Sequence, residues 1–246
     1  MKILRRILYF LTPIVLVALV GWGLRAENDF FLVSDSQVEV EIPEDHQALL
    51  KYWQPKIDQQ LQALKGVNIW KLDLQKVHQE MLDIPWVKSV HLSRRFPDQL
   101  SFQVQWEEVA LLYVDNNNHI FPVARDGRKL PQTEAVVAPP RPILRNSKIY
   151  EDKRALNKLL QAYSKVPNSQ SLRMENIAQV DWDKVTGLTL DLIDERAKVH
   201  LGTQDIQTKG LQVLRVTEYL KSQKHKARVI DASFSKKVLV RPRKHP

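Results

Sequence analysis

Apolar residues recur along this chain with three different periods, and each period predicts a different kind of element. Val38, Val40 and Ile42 alternate with Glu39 and Glu41, the two-residue period of a half-buried strand. Leu50, Trp53, Ile57, Leu61 and Leu64 then fall on one helical face. Pro55 predicts that this helix restarts there, with the proline in its first turn, and Gly66 is its stop. Asp73 is placed to cap a second helix carrying Val77, Met81 and Leu82 inward, and Pro85 forces its end. Val90 and Leu92 alternate with Ser89, His91 and Ser93. After a Pro97-Asp98 turn, Leu100, Phe102, Val104 and Trp106 give the cleanest alternation in the chain. The order is strand-helix-helix-strand-strand, so two helices would cover one face of a three-stranded sheet and leave the other polar.

The second half reads mainly as strands. They are predicted at 109–114, 120–123, 177–182, 188–192, 198–201, 228–231 and 237–241, with turns at Asp115-Asn116-Asn117-Asn118 and Asp194-Glu195-Arg196. Helical spacing returns at Leu156, Leu159, Leu160 and Tyr163, and again over 206–221. Residues 131–147 are rich in proline and read as irregular. The fold class is α+β, with a mostly antiparallel second domain carrying two or three helices.

The third pattern is unbroken. Residues 7–24 are apolar except for Thr12, and eighteen residues of helix span about 27 Å, close to the ~30 Å hydrocarbon core of a bilayer. Lys2, Arg5 and Arg6 precede the run while Glu27 and Asp29 follow it, so the positive-inside rule keeps residues 1–6 in the cytoplasm and exports the rest. A cleaved signal peptide would have a shorter apolar region and a small-x-small site, and Leu24-Arg25-Ala26 supplies neither. The expectation is a single-pass membrane protein whose bulk lies outside the cytoplasm.

Composition narrows the chemistry. The chain has no cysteine, so neither disulfides nor thiolate metal sites contribute. The formal charge is +9, concentrated late: from Arg196 onward thirteen Lys and Arg stand against Asp205, Glu218 and Asp231. Nucleic acid is scarce outside the cytoplasm, so an anionic bilayer or an acidic partner is the better match, and a solvated basic face is the plain alternative. The seven histidines are scattered, and no H-E-x-x-H, P-loop or dinucleotide fingerprint occurs. Ser233-Phe234-Ser235-Lys236 fits S-x-x-K, but it lies between predicted strands and lacks the S-D-N and K-T-G companions of that chemistry. No catalytic set, cofactor, metal or small-molecule substrate is implied.

One stretch carries a family signature. Ile84-Pro85-Trp86-Val87 is followed by Arg94-Arg95-Phe96-Pro97-Asp98-Gln99-Leu100. This resembles the Leu-Pro-Trp-Val and Arg-x-Trp-Pro-x-x-Leu motif of the FtsQ/DivIB bacterial cell division family, with Phe96 in place of the usual Trp. Leu201-Gly202 and Ile230-Asp231 also match, whereas Ala232-Ser233-Phe234-Ser235-Lys236-Lys237 departs from the family's Arg-Tyr and Gly. The resemblance implies a cytoplasmic tail over 1–6, a transmembrane helix over 7–24, a POTRA domain over 28–107 and an FtsQ-type β domain over 108–246. It further implies a non-enzymatic scaffold at the division septum that binds FtsB and FtsL, links early and late division proteins and helps control septal wall synthesis. A POTRA-type periplasmic adaptor or chaperone for exported membrane proteins is the alternative.

Candidate partner-binding residues follow from the last predicted strand. Val238 and Val240 would face the core, while Lys237, Leu239 and Arg241 point outward. A terminal strand at a sheet edge exposes N–H and C=O groups ready for an added strand. Phe234 and Leu239 would then be side-chain anchors, and Lys236, Lys237 and Arg241 would attract an acidic segment. Otherwise Phe234 is a core residue and the lysines guard a bare edge. The signature residues Pro85, Trp86, Val87, Arg94, Phe96 and Pro97 read as a structural motif of the POTRA domain: Trp86 and Val87 plug the helix–sheet core and Pro97 fixes a turn, while Arg94 and Arg95 are either a secondary contact surface or plain hairpin solvation.

Overall fold

The computed structural model describes residues 31–235 and 237–243. The anchor expected over 7–24 and the Lys236 side chain lie outside them. No helix among the described residues is long and apolar enough to cross a membrane. The chain divides into two compact units, one taking the described residues up to Glu41 with Gln54–Gln105, the other Ile42–Trp53 with Trp106 onward.

In the first unit, β1 (Asp35–Glu41), β2 (Val87–Arg95) and β3 (Gln99–Trp106) form a sheet in the order β1-β3-β2, with β1 parallel to β3. The alternation read from β3 is realised, since Leu100, Phe102, Val104 and Trp106 are all buried. Helix α1 (Gln47–Leu64) and helix α2 (Leu74–Leu82) supply Ile57, Leu61, Val77 and Met81 as buried residues. Helix α1 does not restart at Pro55 but runs through it. The proline and Lys51, whose carbonyl loses its partner, both lie on the exposed face, so the carbonyl is not buried without a partner. Asp73 caps α2 as expected, accepting from the backbone N–H groups of Gln75 at 2.9 Å and Lys76 at 3.2 Å.

The second unit is an eight-stranded sheet. Its strands are β4 (Val109–Val114), β5 (Ile120–Ala124), β6 (Ile143–Leu144), β7 (Ile177–Asp183), β8 (Gly187–Leu192), β9 (Lys198–Gly202), β10 (Ala227–Asp231) and β11 (Leu239–Pro242), in the order β11-β10-β9-β8-β7-β6-β4-β5. The β9–β10, β6–β7 and β4–β6 junctions are parallel, so the sheet is mixed where the turn signals predicted mainly hairpins. Each parallel pair needs a crossover, and α5 (Ile206–Ser222) provides the one between β9 and β10. Helices α3 (Ser147–Glu151) and α4 (Lys153–Tyr163) link β6 to β7. Leu156, Leu159 and Leu160 of α4 join Ile206 and Val213 of α5 and the strand residues Val180, Leu190 and Val199 in one continuous core.

Candidate partner-binding edge

Strand β10 is the covered neighbour from which the site is built. Ile230, fully buried, anchors it, and its register with β11 pairs Ile230 with Val240 and Asp231 with Leu239. Val238 and Val240 pack against the core. Period two then turns Leu239 outward, where it is 42% exposed. Arg241 is also exposed, opposite Val229. The last described residue holds the strand in place, with its N–H donating to the Lys226 carbonyl at 2.9 Å and its guanidinium to the Arg196 carbonyl at 2.7 Å; that residue is Arg243.

The loop from β10 to β11 is fixed from its base. The Asp231 carboxylate accepts from Ser233 N–H at 3.0 Å and from Ser233 Oγ at 2.6 Å. Lys209, buried on α5, donates from Nζ to the Ser233 carbonyl at 3.0 Å. Gly202, at φ +77°, lets the loop approach, for a Cβ there would meet Ser233 Cα at 3.3 Å. Phe234 projects beyond this base, 42% exposed, with Lys237 Nζ 5.6 Å from its ring centroid. The serine hydroxyl of the S-x-x-K pattern is thus tied to a carboxylate in a loop. Among the described residues there is no group of side chains that could hold a metal ion.

Sequence reasoning missed Lys209. Its signal was present, because position 209 falls within the apolar stripe of Ile206, Gly210, Val213 and Thr217, where a solvated lysine does not belong.

The signature residues of the first unit separate into two roles. Trp86 and Val87 are each 1% exposed, and Pro85 is half-buried beside them. Arg94 donates from Nε to the Ile69 carbonyl and from Nη2 to the Leu72 carbonyl, both at 2.8 Å, so it clamps the α1–α2 loop. Arg95 donates to Gln37 Oε1 at 2.9 Å. Phe96, before Pro97 in the hairpin turn, is exposed and stacks on Trp70 with ring centroids 4.6 Å apart.

Comparison with known proteins points to one family. The model of the FtsQ-type POTRA domain matches residues 53–105. The cell division protein FtsQ of Geotalea daltonii is 24% identical over 184 residues, covering 72% of this chain and 66% of the relative. The FtsQ of Syntrophotalea carbinolica is 22% identical over 184 residues, 72% of this chain and 64% of that protein. These matches make the chain similar to the FtsQ/DivIB family over most of its length. A DivIB from Streptococcus pyogenes is 29% identical over 96 residues, 39% of this chain and 24% of the relative. The chain spans just under two thirds of the length of the two FtsQ relatives. Within the family frame, the first unit is the POTRA domain and the edge at β11 belongs to the sheet unit that follows it.

Proposed function

We propose that this chain is a non-enzymatic scaffold of the bacterial division machinery. It is anchored in the inner membrane through residues 7–24 with its N-terminus in the cytoplasm, and it binds FtsB and FtsL in the periplasm. The observation that carries the reading is the outer side of β11. No described strand pairs with it, while its inner side is fastened to β10. An extended segment of FtsB would add there as a further strand, with main-chain bonds giving affinity and Phe234 and Leu239 giving side-chain anchorage. Lys237 and Arg241, with Lys236 next to Lys237 in the sequence, favour an acidic segment and speed its encounter. On α5 the exposed residues Leu211, Arg215 and Tyr219 recur every fourth position, which offers a helical partner segment a second track.

The test is capture of the periplasmic parts of FtsB and FtsL by the full chain in nanodiscs. Wild type is compared with a form ending after Asp231 and with Leu239→Pro, and circular dichroism checks the fold of each. Capture by wild type and loss in both variants supports the reading. Undiminished capture by a folded Leu239→Pro protein overturns it.

A further inference from the structure

Among the described residues 54–105 of the first unit, the exposed aromatic rings lie at one end. Three segments meet there. The entering chain bonds to the α1–α2 loop through Val33 N–H to the Val67 carbonyl and Ile69 N–H to the Phe31 carbonyl, each 2.9 Å. The β2–β3 hairpin joins them through Arg94, which holds the same loop, and through Ser34 N–H, which donates to the Asp98 carbonyl at 3.0 Å. On this end Trp70 is 60% exposed and Phe96 55% exposed. They stack on each other, and the Trp70 ring meets Phe31 edge-on at 6.4 Å. Lys71 and Arg95 adjoin the rings in sequence, Lys65 lies in the same α1–α2 loop as Trp70, and all three are exposed, while Asp98 is bound to the Ser34 hydroxyl and Asp73 caps α2.

Two large rings left in water side by side need a reason, since the unit has a well-filled core into which Trp86 and Phe102 fit completely. The chain's length supplies one. Only six residues, seven Cα-to-Cα steps, separate Leu24, the end of the apolar run, from Phe31. Fully extended they reach about 25 Å, and the headgroup layer beyond the hydrocarbon is about 5–8 Å deep. The aromatic end is therefore tethered next to the bilayer. Trp beside Lys and Arg is the composition that settles at a membrane–water interface, with the rings at headgroup level and the cations on anionic lipid.

We propose that Trp70 and Phe96, flanked by Lys65, Lys71 and Arg95, form a membrane-docking surface that seats this unit on the anionic periplasmic face of the lipid bilayer that holds the anchor. The proposal rests on the anchor reading of residues 7–24, and the experiment separates the two.

The chain has no cysteine, so single cysteines can be introduced and spin-labelled in the full protein reconstituted into phosphatidylethanolamine–phosphatidylglycerol vesicles. Labels go at Phe96→Cys and at Lys71→Cys, which leaves both rings intact. Lys88→Cys reports the far end of β2, some 25 Å along the strand, and Leu16→Cys reports the anchor. Membrane depth is read from the ratio of collisions with oxygen to collisions with a water-soluble nickel chelate. The expected result is a ratio severalfold higher at 96 and 71 than at 88, falling toward the value at 88 when Trp70→Ser is added to the Lys71→Cys protein. A deep label at 16 with 96 and 71 equal to 88 overturns the docking surface and leaves the anchor standing. A label at 16 that reads as aqueous overturns the anchor, and docking then stands only if 96 and 71 keep their high ratio. Labels at 96 and 71 shielded from both reagents mean that protein covers the rings, which also overturns lipid docking.

Discussion

The eight-stranded sheet treats its two edges differently. At β5 the following segment folds back along the strand, with Ala124 N–H donating to the Arg128 carbonyl at 2.9 Å, Leu130 N–H to the Pro122 carbonyl at 2.9 Å and Thr133 N–H to the Ile120 carbonyl at 3.0 Å. Isolated bridges pair Ile120 with Thr133 and Val123 with Lys129. This cover is pinned by an ion pair between Arg128 and the buried Glu107. At β11 no described residue folds back in this way. That strand is blunted only by its four-residue length, by Pro242 and by the basic side chains of Lys237 and Arg241. Under the proposed function, the edge that is merely guarded is the one an outside strand would join. The predictions that follow set the edges against each other.

The largest effect belongs to Leu239→Pro. Arg243 directs its N–H at β10, and period two directs that of Leu239 the same way. Proline at 239 therefore unfastens β11 from β10 as well as removing an exposed anchor. Affinity for FtsB should fall at least about 100-fold, roughly 2.8 kcal/mol, by calorimetric titration. Thermal unfolding should move by no more than about 5 °C, because the strand contributes little core. Val240→Pro is the sharper companion. It deletes an outward donor while sparing the β10 bonds, so it should weaken binding if strand addition is the mode and leave it intact if side chains alone bind.

Next comes Arg128→Met at the opposite edge. It strands the buried Glu107 carboxylate, and breaking such a pair ordinarily costs about 3–5 kcal/mol. Arg128 is itself 45% exposed and screened by water, so about 2–3 kcal/mol is expected, a drop of roughly 5–10 °C in midpoint. Binding at β11 should not change. A variant that loses FtsB while keeping its midpoint would place the partner on the wrong edge. Smaller still are Phe234→Ser and Leu239→Ser. Each should lower affinity about 10-fold, near 1.4 kcal/mol, and leave stability within about 0.5 kcal/mol, as befits residues that are 42% exposed.

What could be read beforehand follows the range of the signal. Leu100, Phe102, Val104 and Trp106 declared β3, and Asp73 declared its cap, because both depend on residues within a few positions. The outward set of Leu239 and Arg241 was legible from the same period. Strand β6 was not, since two residues inside a proline-rich stretch show no period, and it is held by neighbours far away in sequence, Leu112 and Gln179. The parallel junctions escaped for the same reason: hairpins announce themselves in their turns, as at Asp115–Asn118, whereas β9 and β10 meet only after a whole helix. At the edge itself, the stripe on α5 marks Lys209 as buried, but that Lys209 and Gly202 shape the loop from 24 to 31 residues upstream of Ser233 is beyond the reach of a local pattern.

The finest contrast between the edges is one of pH. Val109 opens β4, the strand beside β5, and three side chains hold it. Its N–H donates to His46 Nε2 at 3.3 Å and its carbonyl accepts from Arg141 Nε at 2.6 Å, while Asp45 pairs with both His46 and Arg141. Because Nε2 accepts, the imidazole is neutral, with its proton on Nδ1 shared with Asp45 at 2.7 Å. Burial pushes His46 below its ordinary 6.5, outweighing the opposing pull of Asp45. Burial would raise the Asp45 carboxyl, but hydrogen bonds from Arg141 and His46 hold it below its ordinary 3.8. Both shifts act with one sign. As pH falls through 6.5 the unfolded chain takes up a proton that folded His46 resists, so stability is lost from there downward. The Asp45 contribution is complete above 3.8 and disappears as pH drops from that value through its folded pKa. Urea midpoints at about pH 7 and about pH 5.5 should therefore differ in wild type and converge in His46→Gln, which cannot titrate. In hydrogen exchange corrected for intrinsic rate, the acid step should loosen Val109 and β5 while β10 and β11 keep their protection. An equal loosening at β11 would mean that the two edges are one cooperative unit, and the reserved edge would then depend on the sealed one.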